Sequence, residues 1–131
     1  MHFVRDSPVW TRMREEYQLL LIEPKPGICV VTVGELRSLA YQWAWEGTKR
    51  SQMEFALGYF EIVDVNDPRV LEYYAVMDST LERQGQSLGK NDLWIAAATK
   101  ATGARLLTTD RDFDRLSPTF LDRDWIDPNT R

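Results

Sequence analysis

Cysteine, histidine and long apolar runs are almost missing from this chain. Cys29 is the single cysteine and His2 the single histidine among 131 residues. One thiol excludes an internal disulfide, and its place in the apolar run 28–33 marks it as a buried, inert side chain. With so few nitrogen and sulfur donors, a zinc site has nothing to build on. No run approaches the ~18 apolar residues of a membrane span, and the start of the chain lacks the basic segment, apolar core and small-residue cleavage site of a secretory signal. The expected location is the cytoplasm. Positive charge is also short: the net charge is −4 and the pI about 5.0. That argues against gripping nucleic acid by bulk electrostatics. It leaves room for a nuclease whose site holds a divalent cation, because the ion brings its own local positive charge.

What is present is ordinary globular composition, 44% hydrophobic and 27% charged, in a length suited to a single domain over residues 1–131. Ser7-Pro8 reads as the start of a helix running to about Leu20, ended by the Pro24–Gly27 segment. Residues 28–33 form an apolar, largely β-branched run broken only by Thr32 and are predicted to be a strand covered on both faces. Leu36, Leu39, Ala40 and Trp43 repeat at helical spacing, predicting a helix over 35–46 closed by Gly47 and followed by another over 49–57. A second strand is expected over 60–65. Asp67-Pro68 then caps a long helix carrying Val70, Tyr74, Met77 and Leu81 on one face, with Gly85 after it. A short, nearly all-apolar helix over 92–102 ends at Gly103, a strand follows over 104–109, a helical turn over 111–116 and an edge strand over 120–126. Trp10, Trp43, Trp45 and Trp125 are read first as core residues and second as a contact surface. Alternating strands and helices of these lengths predict an α/β fold, a mostly parallel sheet with helices on both faces, whose ligands bind at the carboxyl edge of the strands.

Several acids fall at that edge. Glu35 comes just after the first predicted strand and Asp110 just after 104–109. The helix over 92–102 feeds the start of the latter strand, so its N-terminus, with Asp92, returns to the same edge. Asp112 follows Asp110 by two residues and is a fourth candidate. Taken one at a time each acid has a bland explanation: Asp92 as a first-turn acid on a helix dipole, Asp110 and Asp112 as turn residues, Glu35 as a cap or a partner of Arg37. Together those explanations give no reason for like charges to meet, since their repulsion costs stability unless a cation offsets it. Hard oxygen ligands suit Mg²⁺ or Mn²⁺.

The stretches Val33-Gly34-Glu35-Leu36, Gly89-Lys90-Asn91-Asp92-Leu93-Trp94-Ile95-Ala96-Ala97 and Leu107-Thr108-Thr109-Asp110-Arg111-Asp112-Phe113 resemble, in order and spacing, the PIN-domain ribonucleases, in particular the VapC-like toxins of bacterial toxin–antitoxin pairs. The resemblance implies a ribonuclease in which Glu35, Asp92 and Asp110 are the catalytic acids and, with Asp112, bind Mg²⁺ or Mn²⁺, while Asn91 and Thr108 are supporting neighbours. It further implies an RNA substrate such as tRNA or rRNA, an antitoxin partner and a homodimer. Members of the family begin with a buried central strand ending in an aspartate. The alignment preferred on sequence places residues 1–6 at the end of the first helix, so that this strand and its aspartate are missing and the domain is N-terminally truncated. The rival alignment makes residues 1–5 the strand and Asp6 its aspartate. An active toxin and a catalytically impaired, partner-binding relative are the two functions that follow. A response-regulator receiver, which needs adjacent acids after its first strand, does not fit.

Overall fold

The computed structural model describes residues 15, 16 and 25–129. Of the helix expected over 7–20, Glu15 and Glu16 are helical. The rest of it, and the first-strand question at residues 1–6, lie outside the described residues.

β1 (Gly27–Cys29) runs directly into α1 (Val30–Gln42), and α2 (Gly47–Leu57) leads to β2 (Glu61–Val63). The two strands pair in parallel, Gly27 opposite Glu61 and Cys29 opposite Val63, as a crossover through two helices requires. A side chain on Gly27 would begin 3.1 Å from Val63 Cγ2, so the close approach of these strands favours glycine there. α3 (Pro68–Arg83) and α4 (Lys90–Thr102) then pack against each other ahead of β3 (Leu106–Thr108). A 3₁₀ helix (Arg111–Leu116) and a loop bring β4 (Arg123–Trp125) alongside β3, again in parallel, with Thr108 opposite Trp125.

β3 shows why this is a layered fold. Successive residues of a strand face opposite ways. Leu106 packs into a cluster built from Met77 and Leu81 of α3, Leu93 and Ala96 of α4, and Phe113 and Leu116. Its neighbour Leu107 packs into the other cluster, of Ile28, Val33, Leu36, Ala40, Met53 and Leu57. Side chains from helices therefore lie on both faces of β3, the predicted α/β arrangement, although the four described strands pair as two two-stranded parallel ladders instead of one continuous sheet. No described helix is long and apolar enough to cross a membrane.

Two helix ends follow their sequence signals closely, whereas the helix expected over 35–46 ends at Gln42 with Trp43 as its C-cap, and Gly47 opens α2 instead of closing α1. Asp67 caps α3, its side chain accepting from the Arg69 N–H at 2.8 Å, with Pro68 at the first helical position. Gly103 closes α4 at φ +68°, a left-handed position that glycine occupies without strain. Other boundaries need correction. The strand expected over 28–33 stops at Cys29, and Val30 to Val33 form the first turn of α1. A short apolar, β-branched run reads the same whether it is a buried strand or the buried start of a helix. Here Thr32, Val33 and Leu36 are turned inward at helical spacing. The strands predicted over 60–65, 104–109 and 120–126 are each three residues long. The tryptophans divide as well. Trp43 is 57% exposed, against the expectation of a core residue, and its ring centroid lies 5.5 Å from that of the half-buried Trp45. Trp10 lies outside the described residues.

Candidate metal centre

Three of the predicted acids meet. Asp92, Asp110 and Asp112 each offer a carboxylate oxygen, and these oxygens all lie within 4.8 Å of one another. Asp92 stands in the first turn of α4, on a helix whose Gly89 N-cap supplies no side-chain hydrogen bond. Asp110 follows the end of β3 by two residues and caps the 3₁₀ helix, its Oδ1 accepting from the Asp112 N–H at 2.8 Å. Buried Thr108 locks that turn from below, since its Oγ1 accepts from the Asp110 N–H at 3.0 Å. The bland reading of Asp110 as a turn residue thus has a real basis in this cap, which also holds Asp110 and Asp112 side by side.

Glu35 stands apart from this tight group. Because β1 ends at Cys29, Glu35 falls in the second turn of α1 instead of just beyond a strand. Its charge still reaches the site, where it acts on Asp92. Arg37, its candidate partner, is taken by Glu54 at 3.2 Å. Asn91 is exposed beside Asp92 and makes no hydrogen bond to the three acids among the described residues. Asp112, a fourth candidate on sequence, is a full member of the cluster and is exposed, with Arg115 at 3.5 Å.

Sequence reasoning passed over two features of the described structure. Asp64 directly follows β2, and its charge, with that of Glu35, acts on the buried thiol of Cys29. Its position after a strand end was the available signal. Arg111 lies between the two clustered acids in sequence, and its guanidinium carbon sits 3.7 Å from the centroid of the Trp125 ring. Nothing in the sequence pairs those residues.

The electrostatics favour a cation. Acids in the first turn of a helix are normally stabilised in their charged form. Asp92 goes the other way: burial first, then the charges of Asp110, Glu35 and Asp112, push it up to about 6 from an ordinary value of 3.8. Between those values the folded state holds a proton that the unfolded chain has lost, so the contribution of Asp92 to metal-free stability falls as pH rises from about 4 to about 6. Cation binding needs the carboxylate and strengthens over the same window. Comparing the wild type with Asp92→Asn cancels carboxylates that titrate in the opposite sense, such as Glu54, held low by Arg37. In metal-free buffer the melting temperature of the variant should gain on that of the wild type as pH rises through this window. A difference that stays flat from pH 4 to 7 would show that the carboxylates do not repel as described.

Comparison with known proteins gives a consistent result. A family model described as the PIN domain matches residues 2–117. The chain is 36% identical over 89 residues to Ribonuclease VapC4 of Mycobacterium tuberculosis, an alignment spanning 66% of this chain and 68% of that protein. In structure it is similar to a chain of VapBC-5 from Mycobacterium tuberculosis, a member of the VapBC family of toxin–antitoxin systems. There the identity is 27% and the TM-score 0.66, over 81% of this chain and 86% of the other. A chain of VapBC2 from Rickettsia felis, solved bound to a DNA fragment from its promoter, shares the fold at 23% identity and a TM-score of 0.74, covering 89% and 86% of the two chains.

Proposed function

The chain belongs to the PIN-domain family, and from that premise we propose that it is an endoribonuclease, the toxin of a bacterial toxin–antitoxin pair, which hydrolyses RNA phosphodiesters with the help of carboxylate-bound Mg²⁺ or Mn²⁺. The observation that carries this reading is the meeting of Asp92, Asp110 and Asp112 within 4.8 Å. An all-oxygen, acidic donor set of that size fits a hard divalent cation. A cation bound there supplies Lewis acidity toward a phosphodiester and its attacking water.

The residues of the chain do the remaining work. Asp92, Asp110 and Asp112 would hold the ion, and Glu35 would add negative charge from the second turn of α1. Thr108 sets the turn that carries Asp110, and Asp110 in turn fixes the backbone of Asp112. Such pre-organisation means that few groups must move when the ion and phosphate arrive. The relatives named Ribonuclease VapC4 and VapBC support an RNA substrate and an antitoxin partner; a tRNA or rRNA target, a homodimeric state and a cytoplasmic location belong to the same proposal. The alternative, a catalytically impaired partner-binding module, offers no reason for three carboxylates to be held together.

The test is cleavage of a mixed pool of structured RNAs by the purified chain in EDTA, Mg²⁺ or Mn²⁺. Cleavage is expected with either ion and not in EDTA. Undiminished cleavage in EDTA would overturn the metal-dependent mechanism. Inactivity under all conditions, with melting still raised by Mn²⁺, would favour the impaired module.

A further inference from the structure

Beside the three acids lies a cation that the function proposed above leaves without a task. Arg111 is placed between Asp110 and Asp112 in the chain, and its guanidinium carbon is 3.7 Å from the centroid of the Trp125 ring. Trp125 is itself firmly held. Its Nε1–H donates to the Thr109 carbonyl at 3.0 Å, it lies opposite Thr108 in the β3–β4 ladder, and the next residue, Ile126, donates its N–H to the Thr108 carbonyl at 2.8 Å. The indole is thereby tied to the strand end that carries Asp110.

The pairing of Arg111 within the protein is weak. Its ion pair is with Asp114 at 3.7 Å, and Asp114 is already engaged by Arg123 at 2.6 Å. The Arg111 side chain is 61% exposed. A guanidinium with a face on an aromatic ring keeps its N–H edge available, and that planar fork of donors matches phosphate oxygens. Stacking also removes part of the rotamer freedom that an exposed arginine would lose on gripping a ligand. The chain carries a net charge of −4, so a held cation at the rim of an acidic site is conspicuous.

We propose that Arg111, braced on Trp125, is a substrate-positioning residue that grips an RNA phosphate neighbouring the one brought to the acids. This rests on the ribonuclease reading, and the experiment separates the two. Binding of a fluorescently labelled single-stranded RNA is measured by anisotropy against salt in EDTA, where the metal-dependent cleavage proposed above is silent. Cleavage kinetics are measured in Mn²⁺, and melting is followed with and without Mn²⁺. Arg111→Gln should weaken RNA binding and raise KM by about 10-fold, the value of one lost charged hydrogen-bond contact. It should lower the salt slope by about 0.7, one single-strand phosphate contact. The kcat and the Mn²⁺-induced rise in melting should stay within about 2-fold of wild type, since the acids are untouched. Arg111→Lys should retain the salt slope and recover only part of the affinity. Trp125→Phe, which keeps an aromatic face but loses the Nε1 hydrogen bond, should weaken binding less than Arg111→Gln. A wild type that cleaves RNA while Arg111→Gln shows unchanged KM and salt slope would overturn the inference alone. So would loss of Mn²⁺ stabilisation in that variant, which would make Arg111 a structural prop of the acid cluster. A wild type that neither binds RNA in EDTA nor cleaves it in Mn²⁺ would overturn both readings.

Discussion

Asp92→Asn should abolish RNA cleavage while leaving the protein folded. The expected fall in rate is on the order of 10²–10³, the usual cost of removing one group that supports charge at the reacting centre. The substitution keeps the shape of the side chain in the first turn of α4 and takes away only the charge that a cation needs. The N-cap of the helix is Gly89, which makes no side-chain cap bond, so the substitution leaves the cap residue untouched. Mutual repulsion with Asp110, Glu35 and Asp112 disappears along with the carboxylate. The variant should therefore melt no lower than wild type in metal-free buffer near pH 7.5, and Mn²⁺ should raise its melting temperature much less. Cleavage that persists in saturating Mn²⁺ would remove Asp92 from the ligand set. A variant that unfolds would point to a structural role for its charge.

One residue further along, Leu93→Ala should have the largest effect on stability. Leu93 is completely buried and faces the cluster of Met77, Leu81, Phe113 and Leu116. Truncation leaves a cavity among side chains that belong to α3, α4 and the 3₁₀ helix and cannot all close in. A loss of about 2–5 kcal/mol is expected, a large part of the ~5–15 kcal/mol that holds a domain folded. The same helices position Asp92 and Asp112, so RNA cleavage should become more sensitive to temperature. Leu71→Ala on the outer side of α3, where the side chain is 49% exposed, serves as the control and should shift stability by no more than about 0.5 kcal/mol. Denaturant unfolding of both variants decides the matter. Equal midpoints would mean that Leu93 is not the packing centre described.

Much of this protein is local chemistry and can be read without coordinates. Asp67-Pro68 begins α3 and Gly103 ends α4 because a capping carboxylate, a proline lacking an N–H and a glycine free to adopt positive φ act within a few residues of chain. The kind of chemistry is equally local. Acids without cysteine or histidine nearby can offer a cation only hard oxygen donors, and the alternation of strands and helices sends those acids to one edge. Distances are another matter. In sequence Glu35 ranks with Asp92 and Asp110, and Asp112 trails behind. In the fold Asp112 stands with the two aspartates and Glu35 outside them. That exchange comes from the end of β1 at Cys29, where an apolar run equally suited to strand or helix turns into α1 because its side chains have a core to enter on that side. The pairing of Arg111 with Trp125 is likewise invisible in a chain that separates them by 14 positions. It exists because β4 docks in register beside β3, setting Trp125 opposite Thr108. Residue type and short-range stereochemistry determined several element ends and the chemical type of the clustered donors. Which side chains touch was decided by packing between elements, a long-range property to which no single segment holds the key.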